Sequence, residues 1–220
     1  MPRAGLTGIM LTMPDFRFET EALSRGALWV AGVDEVGRGP LAGPVTAAAV
    51  RLDPARIPDG LRDSKSLTAR SRQRLADELH KVADVAVAHA TIEEIDRLNI
   101  LRASHLAMER AVAMLSGQAL FLLIDGNIIP LGLAGRSQAI VRGDAQCLSI
   151  AAASIVAKVA RDALMVDLAQ QFPGYGWERN AGYPTQEHRD ALKNLGVTPV
   201  HRRSFGPVHN ILYQDNSLTP

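Results

Sequence analysis

The residues of this sequence best suited to chemistry are four carboxylates, each standing where a short apolar segment stops. Short apolar runs bounded by turn residues predict strands buried on both faces. In sheets flanked by helices, sites form outside the ends of such strands, so neighbouring strands would bring these acids to one edge. The apolar segments span 28–33, 119–124 and 138–142, and the acids are Asp34, Glu35, Asp125 and Asp144.

Four carboxylates at one edge would need a cation between them, because like charges raise one another's pKa. Carboxylate oxygens suit a hard divalent ion, so the predicted cofactor is Mg²⁺ or Mn²⁺. No His or Cys in these segments suggests zinc. Two simpler interpretations stay open, since Asp125-Gly126 is also an ordinary turn dipeptide and Asp144 also suits a helix cap. Spacing alone does not prove that the acids converge.

A glycine-rich loop, Gly37-Arg38-Gly39, directly follows the first two acids. Glycines let a backbone approach a ligand closely, and the arginine between them can meet a phosphate or a sugar edge. The loop is not a Walker motif, since no Gly-Lys-Ser/Thr follows it. It also lacks the third glycine of a dinucleotide fingerprint, because position 42 is Ala42. A nucleotide coenzyme is therefore not expected.

Composition bounds the class of protein without identifying a partner. The 220 residues are 47% hydrophobic, enough for one compact domain with a sizeable core, and no apolar stretch is long enough to span a membrane. The net charge is +1, and 20 of the 24 basic residues are arginine, which suits phosphate contacts but also fits a GC-rich genome. The single cysteine, Cys147, excludes an intramolecular disulfide and favours the cytoplasm.

Strand and helix patterns alternate along the chain, which predicts an α/β domain with a mixed sheet. The first two strands, 28–33 and 45–52, are predicted to pair as an antiparallel hairpin. Thr91 followed by Glu94 predicts a capping box at the start of a helix. The other predicted strands span 85–90, 119–124 and 138–142; the other helices span 68–82, 100–115, 149–170 and 185–195, with a loop over 172–183.

Seven ordered motifs make the sequence resemble ribonuclease HII, the prokaryotic type 2 ribonuclease H. The resemblance implies a ribonuclease H-like fold, with a mixed central sheet flanked by helices and a helical C-terminal portion. Residues 1–26 are then a loose lead-in, 27–208 the catalytic domain, and 209–220 a tail. The motifs are AGVDEVGRGPLAGPV (31–45), DSKSL (63–67), EEIDRLNI (93–100), LLIDGN (122–127), GDAQCLSIAAASIVAKVARD (143–162), AGYPTQEH (181–188) and HRRSFGPV (201–208).

The resemblance implies an endonuclease that cleaves the RNA strand of RNA/DNA hybrids. It also implies nicking on the 5′ side of single ribonucleotides in duplex DNA, leaving a 3′-hydroxyl and a 5′-phosphate. Such an enzyme removes ribonucleotides during DNA replication and repair. Two divalent ions about 4 Å apart would bridge the scissile phosphate, one activating water and the other stabilising the leaving oxygen. The expected enzyme is a cytoplasmic monomer acting on hybrids and on ribonucleotide-containing duplexes.

The resemblance also assigns roles to individual residues. The four acids match the catalytic and metal-binding carboxylates, with Asp34 as the bridging ligand. Gly37, Arg38 and Gly39 match the loop that reads the ribose 2′-hydroxyl, and Tyr183 matches the ring that packs on the next, deoxy sugar. A packed loop aromatic is the simpler interpretation of Tyr183. The residues that look like contacts to the nucleic-acid backbone or its phosphates are Ser64, Lys65, Asn99 and the pair Arg202-Arg203. The simpler interpretation of the charged side chains is a solvated surface position, and Ser64 could instead close a turn.

The sequence departs from the family pattern at two places. Asn180-Ala181 stands where a His-Lys pair is frequent, which removes a basic contact to the duplex. Cys147 occupies a place where a small polar residue is common, and a small buried thiol is expected there. His188 is expected to be a structural hydrogen-bonding residue.

Three alternative functions are considered. They are ribonuclease HIII, which would need a further N-terminal domain, another metal nuclease of the same fold, and a hybrid-binding protein without activity.

Overall fold

The computed structural model describes residues 13–116 and 120–213, which fold around a five-stranded mixed sheet of order β3-β2-β1-β4-β5. The predicted fold class, a mixed sheet flanked by helices with a helical C-terminal portion, is confirmed. The strands are β1 Trp29–Val36, β2 Val45–Arg51, β3 Asp84–Ala90, β4 Leu120–Asp125 and β5 Ser137–Ile140. The helices are α1 Arg17–Ser24, α2 Ala69–Val82, α3 Ile92–Leu98, α4 Ile100–Met114, α5 Leu148–Gln171, α6 Trp177–Asn180, α7 Gln186–Leu195 and α8 Gly206–Tyr213.

The register of the sheet brings the ends of three strands together. Strand β1 pairs antiparallel with β2, which confirms the predicted hairpin, and parallel with β4, where Val33 lies beside Ile124. Strand β4 in turn pairs parallel with β5, with Asp125 beside Ile140. Because β1, β4 and β5 run in the same direction, their carboxyl ends lie at one edge of the sheet.

Successive residues of β1 face opposite layers of the molecule, as the period of a strand requires. Ala31 and Val33 belong to the core cluster that includes residues of α4. On the other face, Gly32 meets the backbone of α5, where a Cβ would lie 2.1 Å from the carbonyl carbon of Ser149. Helix α5 therefore crosses the sheet at backbone contact, which fixes its position relative to Asp34, two residues further along β1.

Local capping signals in the sequence set helix starts as predicted. The side chain of Thr91 accepts a hydrogen bond from the N–H of Glu94, and the Glu94 carboxylate accepts one from the N–H of Thr91. This reciprocal pair is the predicted capping box. The side chain of Thr185 caps α7 by accepting from the N–H of His188, and Gly196 ends that helix with φ of 82°. Both predictions are confirmed.

Helix α1 corrects the expectation that residues 1–26 form a loose lead-in. Its Glu19 is buried, and the Glu19 carboxylate accepts hydrogen bonds from the N–H of Ser149 (2.7 Å) and from the thiol of Cys147 (3.1 Å). The acid thus accepts from one of the free N–H groups at the start of α5, where the helix dipole favours negative charge. Cys147 is fully buried, in keeping with the small buried thiol expected there. Residues 1–12 lie outside the described residues.

Other element boundaries also differ from the sequence-based expectation. Strand β1 continues through Asp34 and Glu35 to Val36, so these acids lie within the strand and not after it. The predicted loop over 172–183 contains α6, and residues 209–213 of the predicted tail belong to α8. The remainder of that tail, 214–220, lies outside the described residues. No helix in the described ranges is long and apolar enough to cross a membrane.

Candidate active site

The four carboxylates line one cavity of about 340 Å³ at the carboxyl ends of β1, β4 and β5. A larger cavity, about 610 Å³, lies at the opposite edge among residues such as Trp29 and Asp84, and it contains none of these four acids. The residues that share the smaller cavity with Asp34, Glu35, Asp125 and Asp144 are Val36, Ser64, Lys65, Ser154, Lys158 and Tyr183.

Backbone and ionic contacts position three of the four acids at the cavity wall. Asp125 accepts a 2.7 Å hydrogen bond from the N–H of Gly143, which ties the end of β4 to the turn carrying Asp144. Asp144 does not cap α5, since Cys147 holds that position. The guanidinium of Arg38 lies 3.2 Å from a carboxylate oxygen of Glu35, and the Lys65 ammonium lies 3.9 Å from Asp144.

Burial and mutual repulsion raise the pKa values of three of the four acids. Burial raises the pKa of Asp34 well above its usual range, and the charges of Glu35, Asp125 and Asp144 raise it further, against a hydrogen bond from Ser154 that lowers it. Burial also raises the pKa of Glu35, which the charge of Arg38 partly offsets. The pKa of Asp144 is raised by burial and then by Asp125, while Lys65 lowers it. A cation bound among these acids would offset the repulsion between their charges.

The chemistry of this donor set fits a hard divalent cation, because every candidate ligand is a carboxylate. Within residues 13–116 and 120–213, no three acidic, imidazole or thiol side chains already close around one point as the ligands of a bound ion do.

The Gly37-Arg38-Gly39 loop continues from Val36, which lines the cavity, and lies beside Tyr183 at the cavity rim. Gly37 is buried, with φ of 91°, and a Cβ on it would lie 2.2 Å from the Arg161 Nε, so this position admits glycine alone. Gly39 is exposed, and a Cβ there would lie 3.3 Å from the ring of Tyr183. The Tyr183 ring is 43% exposed, which argues against a purely packed aromatic.

Comparison with known proteins identifies the family. The family model described as Ribonuclease HII matches residues 31–208. The chain belongs to the ribonuclease HII family. A ribonuclease HII of Cereibacter sphaeroides is 68% identical over 210 residues, which cover 96% of this chain and 99% of that protein. The protein is therefore an enzyme, a hydrolase of the ribonuclease H class.

Solved structures show the same fold. The ribonuclease H2 of Pyrococcus horikoshii OT3 superposes with a TM-score of 0.72 at 28% identity, covering 86% of this chain and all of that one. Bst-RNase HIII, solved in complex with Mn²⁺, has the same fold with a TM-score of 0.65 at 21% identity, and the match covers 87% of this chain and 71% of that one. The family match of this chain is to ribonuclease HII, which decides against the ribonuclease HIII alternative.

Three of the expected phosphate contacts in this ribonuclease HII-family enzyme have structural roles. Ser64 is buried and its hydroxyl lies 2.9 Å from that of Ser154, another residue that lines the cavity. The Asn99 side chain accepts from the N–H groups of Leu101 and Arg102 and caps α4. Arg202 is fully buried and cannot reach a phosphate, which corrects its assignment as a contact. Lys65 and Arg203 are exposed, and their contacts stay predictions.

Asn180 and Ala181, which depart from the family pattern, shape the backbone before Tyr183. The Asn180 amide donates to the carbonyl of Tyr175 (2.8 Å), and its oxygen accepts from the N–H of Gly182 (2.9 Å). Ala181 adopts a left-handed conformation with φ of 48°. The buried asparagine thus fixes the backbone just before Tyr183, a role that the sequence pattern did not reveal.

Two buried histidines support the segment that carries Tyr183. His188 Nδ1 donates to the Tyr183 carbonyl (3.0 Å), and its Nε2 accepts from the Trp177 indole N–H (3.0 Å). His201 Nε2 lies 3.1 Å from His188 Nε2, and His201 Nδ1 accepts from the N–H of Thr198. With both rings neutral, every donor meets an acceptor, which is the structural hydrogen bonding expected of His188.

Acidification is expected to destabilise the fold through this histidine pair. Burial, together with the neighbouring His188, lowers the pKa of His201 to about 3, and burial lowers the pKa of His188 as well. The unfolded chain takes up protons below about pH 6.5, whereas the folded rings do not, so this stability is complete above pH 6.5 and falls from there towards pH 3. Urea midpoints at pH 7.5 and 5.0 measure the loss.

The matched variants for this experiment are His201→Gln and the exposed His80→Gln. His201→Gln is expected to be less stable at pH 7.5 but to lose less stability on going to pH 5.0. His80→Gln is expected to follow the wild type. An equal loss in all three proteins would show that the buried pair does not control the acid response.

Proposed function

We propose that this enzyme hydrolyses the RNA strand of RNA/DNA hybrids and nicks duplex DNA on the 5′ side of single ribonucleotides. The observation that carries the proposal is the shared cavity, which the four carboxylates line together with Tyr183. The Gly37-Arg38-Gly39 loop adjoins this cavity, with Gly39 against the Tyr183 ring. Such an activity serves ribonucleotide removal in DNA replication and repair. The proposed working form is a cytoplasmic monomer.

Substrate choice in this proposal depends on the rim of the cavity. The 2′-hydroxyl is the group that distinguishes RNA from DNA at one nucleotide. The exposed backbone of Arg38 and Gly39 offers polar groups to that hydroxyl, and the half-exposed Tyr183 ring beside Gly39 offers a flat face to a deoxyribose. Lys65 and Arg203 would contact backbone phosphates, which position a duplex without reading its sequence.

Hydrolysis in this proposal forms a bond from water oxygen to phosphorus and breaks the bond to the 3′-oxygen, giving a 3′-hydroxyl and a 5′-phosphate. Asp34, Glu35, Asp125 and Asp144 would hold two Mg²⁺ or Mn²⁺ ions, which when bound supply Lewis-acid stabilisation of the phosphate and lower the pKa of water. Ser64 and Ser154, whose hydroxyls lie 2.9 Å apart, line the same cavity beside Asp34. The Gly143 N–H fixes that of Asp125.

A labelled DNA duplex containing one ribonucleotide tests the proposal. With Mg²⁺ or Mn²⁺ we expect a single nick 5′ to the ribonucleotide, abolished by a chelator. Tyr183→Ala is expected to lower the nicking rate about 10-fold, a loss of about 1.4 kcal/mol of transition-state stabilisation, because the ring that packs on the deoxyribose is removed. Binding to an all-DNA duplex should change less than twofold.

The matched control is Tyr213→Ala, which removes another exposed tyrosine, one outside the cavity. It is expected to nick like the wild type. Cleavage of a long hybrid without any nick at the single ribonucleotide would refute the junction-reading part of the proposal. Equal loss of nicking and duplex binding in Tyr183→Ala would reduce that residue to a packing role.

A further inference from the structure

Two arginines beneath the site, Arg161 and Arg202, are buried, and neither forms an ion pair with a carboxylate of the described residues. Their exposed fractions are 1% and 0%. In the parts of the chain that the structure describes, the ion pairs with carboxylates involve other basic residues. A buried charge is costly unless its hydrogen bonds are made, so the groups that accept from these guanidiniums indicate what the charges are for.

The guanidinium of Arg202 donates to four backbone carbonyls of the glycine-rich segment. Its Nη2 donates to Gly37 (2.6 Å) and Pro44 (3.2 Å), its Nη1 to Arg38 (3.0 Å) and its Nε to Gly43 (2.9 Å). The fork of N–H donors on an arginine can serve several acceptors at once, which a lysine ammonium on a flexible stem cannot reproduce.

The guanidinium of Arg161 joins the same segment to the strip before Tyr183. It donates to the carbonyls of Pro44 (2.8 Å), Ala42 (3.2 Å) and Ala181 (3.2 Å). Its stem fills the space beside Gly37 that a Cβ would occupy. The two halves of the cavity rim, the glycine-rich loop and the Tyr183 strip, therefore share one buried cation.

This pattern of acceptors sets the direction of the loop's N–H groups. In a trans peptide the carbonyl and the following N–H point to opposite sides. Since the carbonyls of Gly37 and Arg38 turn inward to Arg202, the N–H groups of Arg38 and Gly39 turn outward. Neither N–H has a protein acceptor in the described residues, and both residues are exposed. Two adjacent outward N–H groups form a small concave donor site for an oxygen.

We propose that Arg161 and Arg202 are positioning residues that hold the Gly37-Arg38-Gly39 loop with two N–H donors facing the ribose 2′-hydroxyl. The inference rests on the proposed function and deepens it. Burial lowers the pKa of Arg161 to about 10, and burial with the nearby charge of Arg161 lowers that of Arg202 to about 9. Both therefore stay charged at neutral pH, and the charge on each strengthens its bonds to the carbonyls.

The test compares binding to two DNA duplexes that differ by a single 2′-hydroxyl. It uses Asp34→Asn as the parent, so that neither duplex is cut, and adds Arg202→Lys, Arg161→Lys or the exposed control Arg74→Lys. The parent and the Arg74→Lys variant should prefer the ribonucleotide duplex about 5-fold or more, as one charge-assisted or well-placed hydrogen bond allows. Arg202→Lys and Arg161→Lys should lose most of that preference while keeping their affinity for the all-DNA duplex.

The outcomes separate the inference from the proposed function. If the arginine variants lose thermal stability but still prefer the ribonucleotide duplex, the arginines have only a structural role and the inference is overturned. The inference is also overturned if the Asp34→Asn parent shows no preference although the wild type nicks at ribonucleotides. If Arg202→Lys does not fold, Arg161→Lys decides the matter by itself. Absence of nicking by the wild-type enzyme would instead refute the proposed function.

Discussion

Replacing Asp34 by asparagine is expected to lower the cleavage rate by about 1,000-fold or more, a loss of about 4 kcal/mol of transition-state stabilisation. Asparagine has nearly the same shape as aspartate but carries no charge, so residue 34 could no longer contribute an anionic ligand to a metal site. Affinity for a ribonucleotide-containing duplex should change little, since the phosphate and sugar contacts proposed here come from other residues. Single-turnover cleavage and equilibrium binding measure the two effects separately.

The control for this variant is Asp59→Asn, an exposed loop residue that does not line the carboxylate cavity. It should cleave like the wild type. Thermal unfolding supplies a readout independent of activity: Mg²⁺ or Mn²⁺ should raise the Tm of the wild type, because an ion that binds the folded state stabilises it, and should raise that of Asp34→Asn much less. Near-normal cleavage by Asp34→Asn would contradict the assignment of this residue.

Replacing Gly32 by alanine is expected to destabilise the fold by about 4 kcal/mol or more, which for a domain of this size means little soluble protein. The added Cβ would lie 2.1 Å from the carbonyl carbon of Ser149 and 2.3 Å from the backbone nitrogen of Ile150. These are backbone atoms of the long helix α5, so no side chain can turn aside and the whole helix would have to move off the sheet. Urea unfolding measures the loss.

Gly206→Ala is the matched control, because a Cβ there would have no heavy atom within 4 Å. It should change the free energy of unfolding by no more than about 0.5 kcal/mol. A stable, active Gly32→Ala protein would show that α5 can move away from β1 without loss. That result would also contradict the conclusion that this backbone contact fixes the position of α5 relative to Asp34.

Signals that act over a few residues determined much of the fold in advance. The capping box at Thr91 and the cap at Thr185 depend on hydrogen bonds that span three residues, and the sequence shows both partners. The apolar runs predicted the strands because a strand buried on both faces excludes polar residues. The order of the acids along the chain indicated one edge of the sheet. It could not show which strands are neighbours, since residues that pair between β1 and β4, such as Val33 and Ile124, lie 91 positions apart in the chain.

Contacts between distant residues decided the rest. Helix α1 was missed because Glu19 meets its partner, the Ser149 N–H, across 130 positions of sequence. Arg202 was assigned to the surface because arginines are almost never buried unpaired, yet its acceptors are backbone carbonyls about 160 residues away, which leave no mark on side-chain types. The sequence by itself determined the chemistry of the site, four carboxylates and a glycine loop. Only the tertiary structure decided what holds them, because backbone carbonyls and helix ends become partners only when the chain has folded.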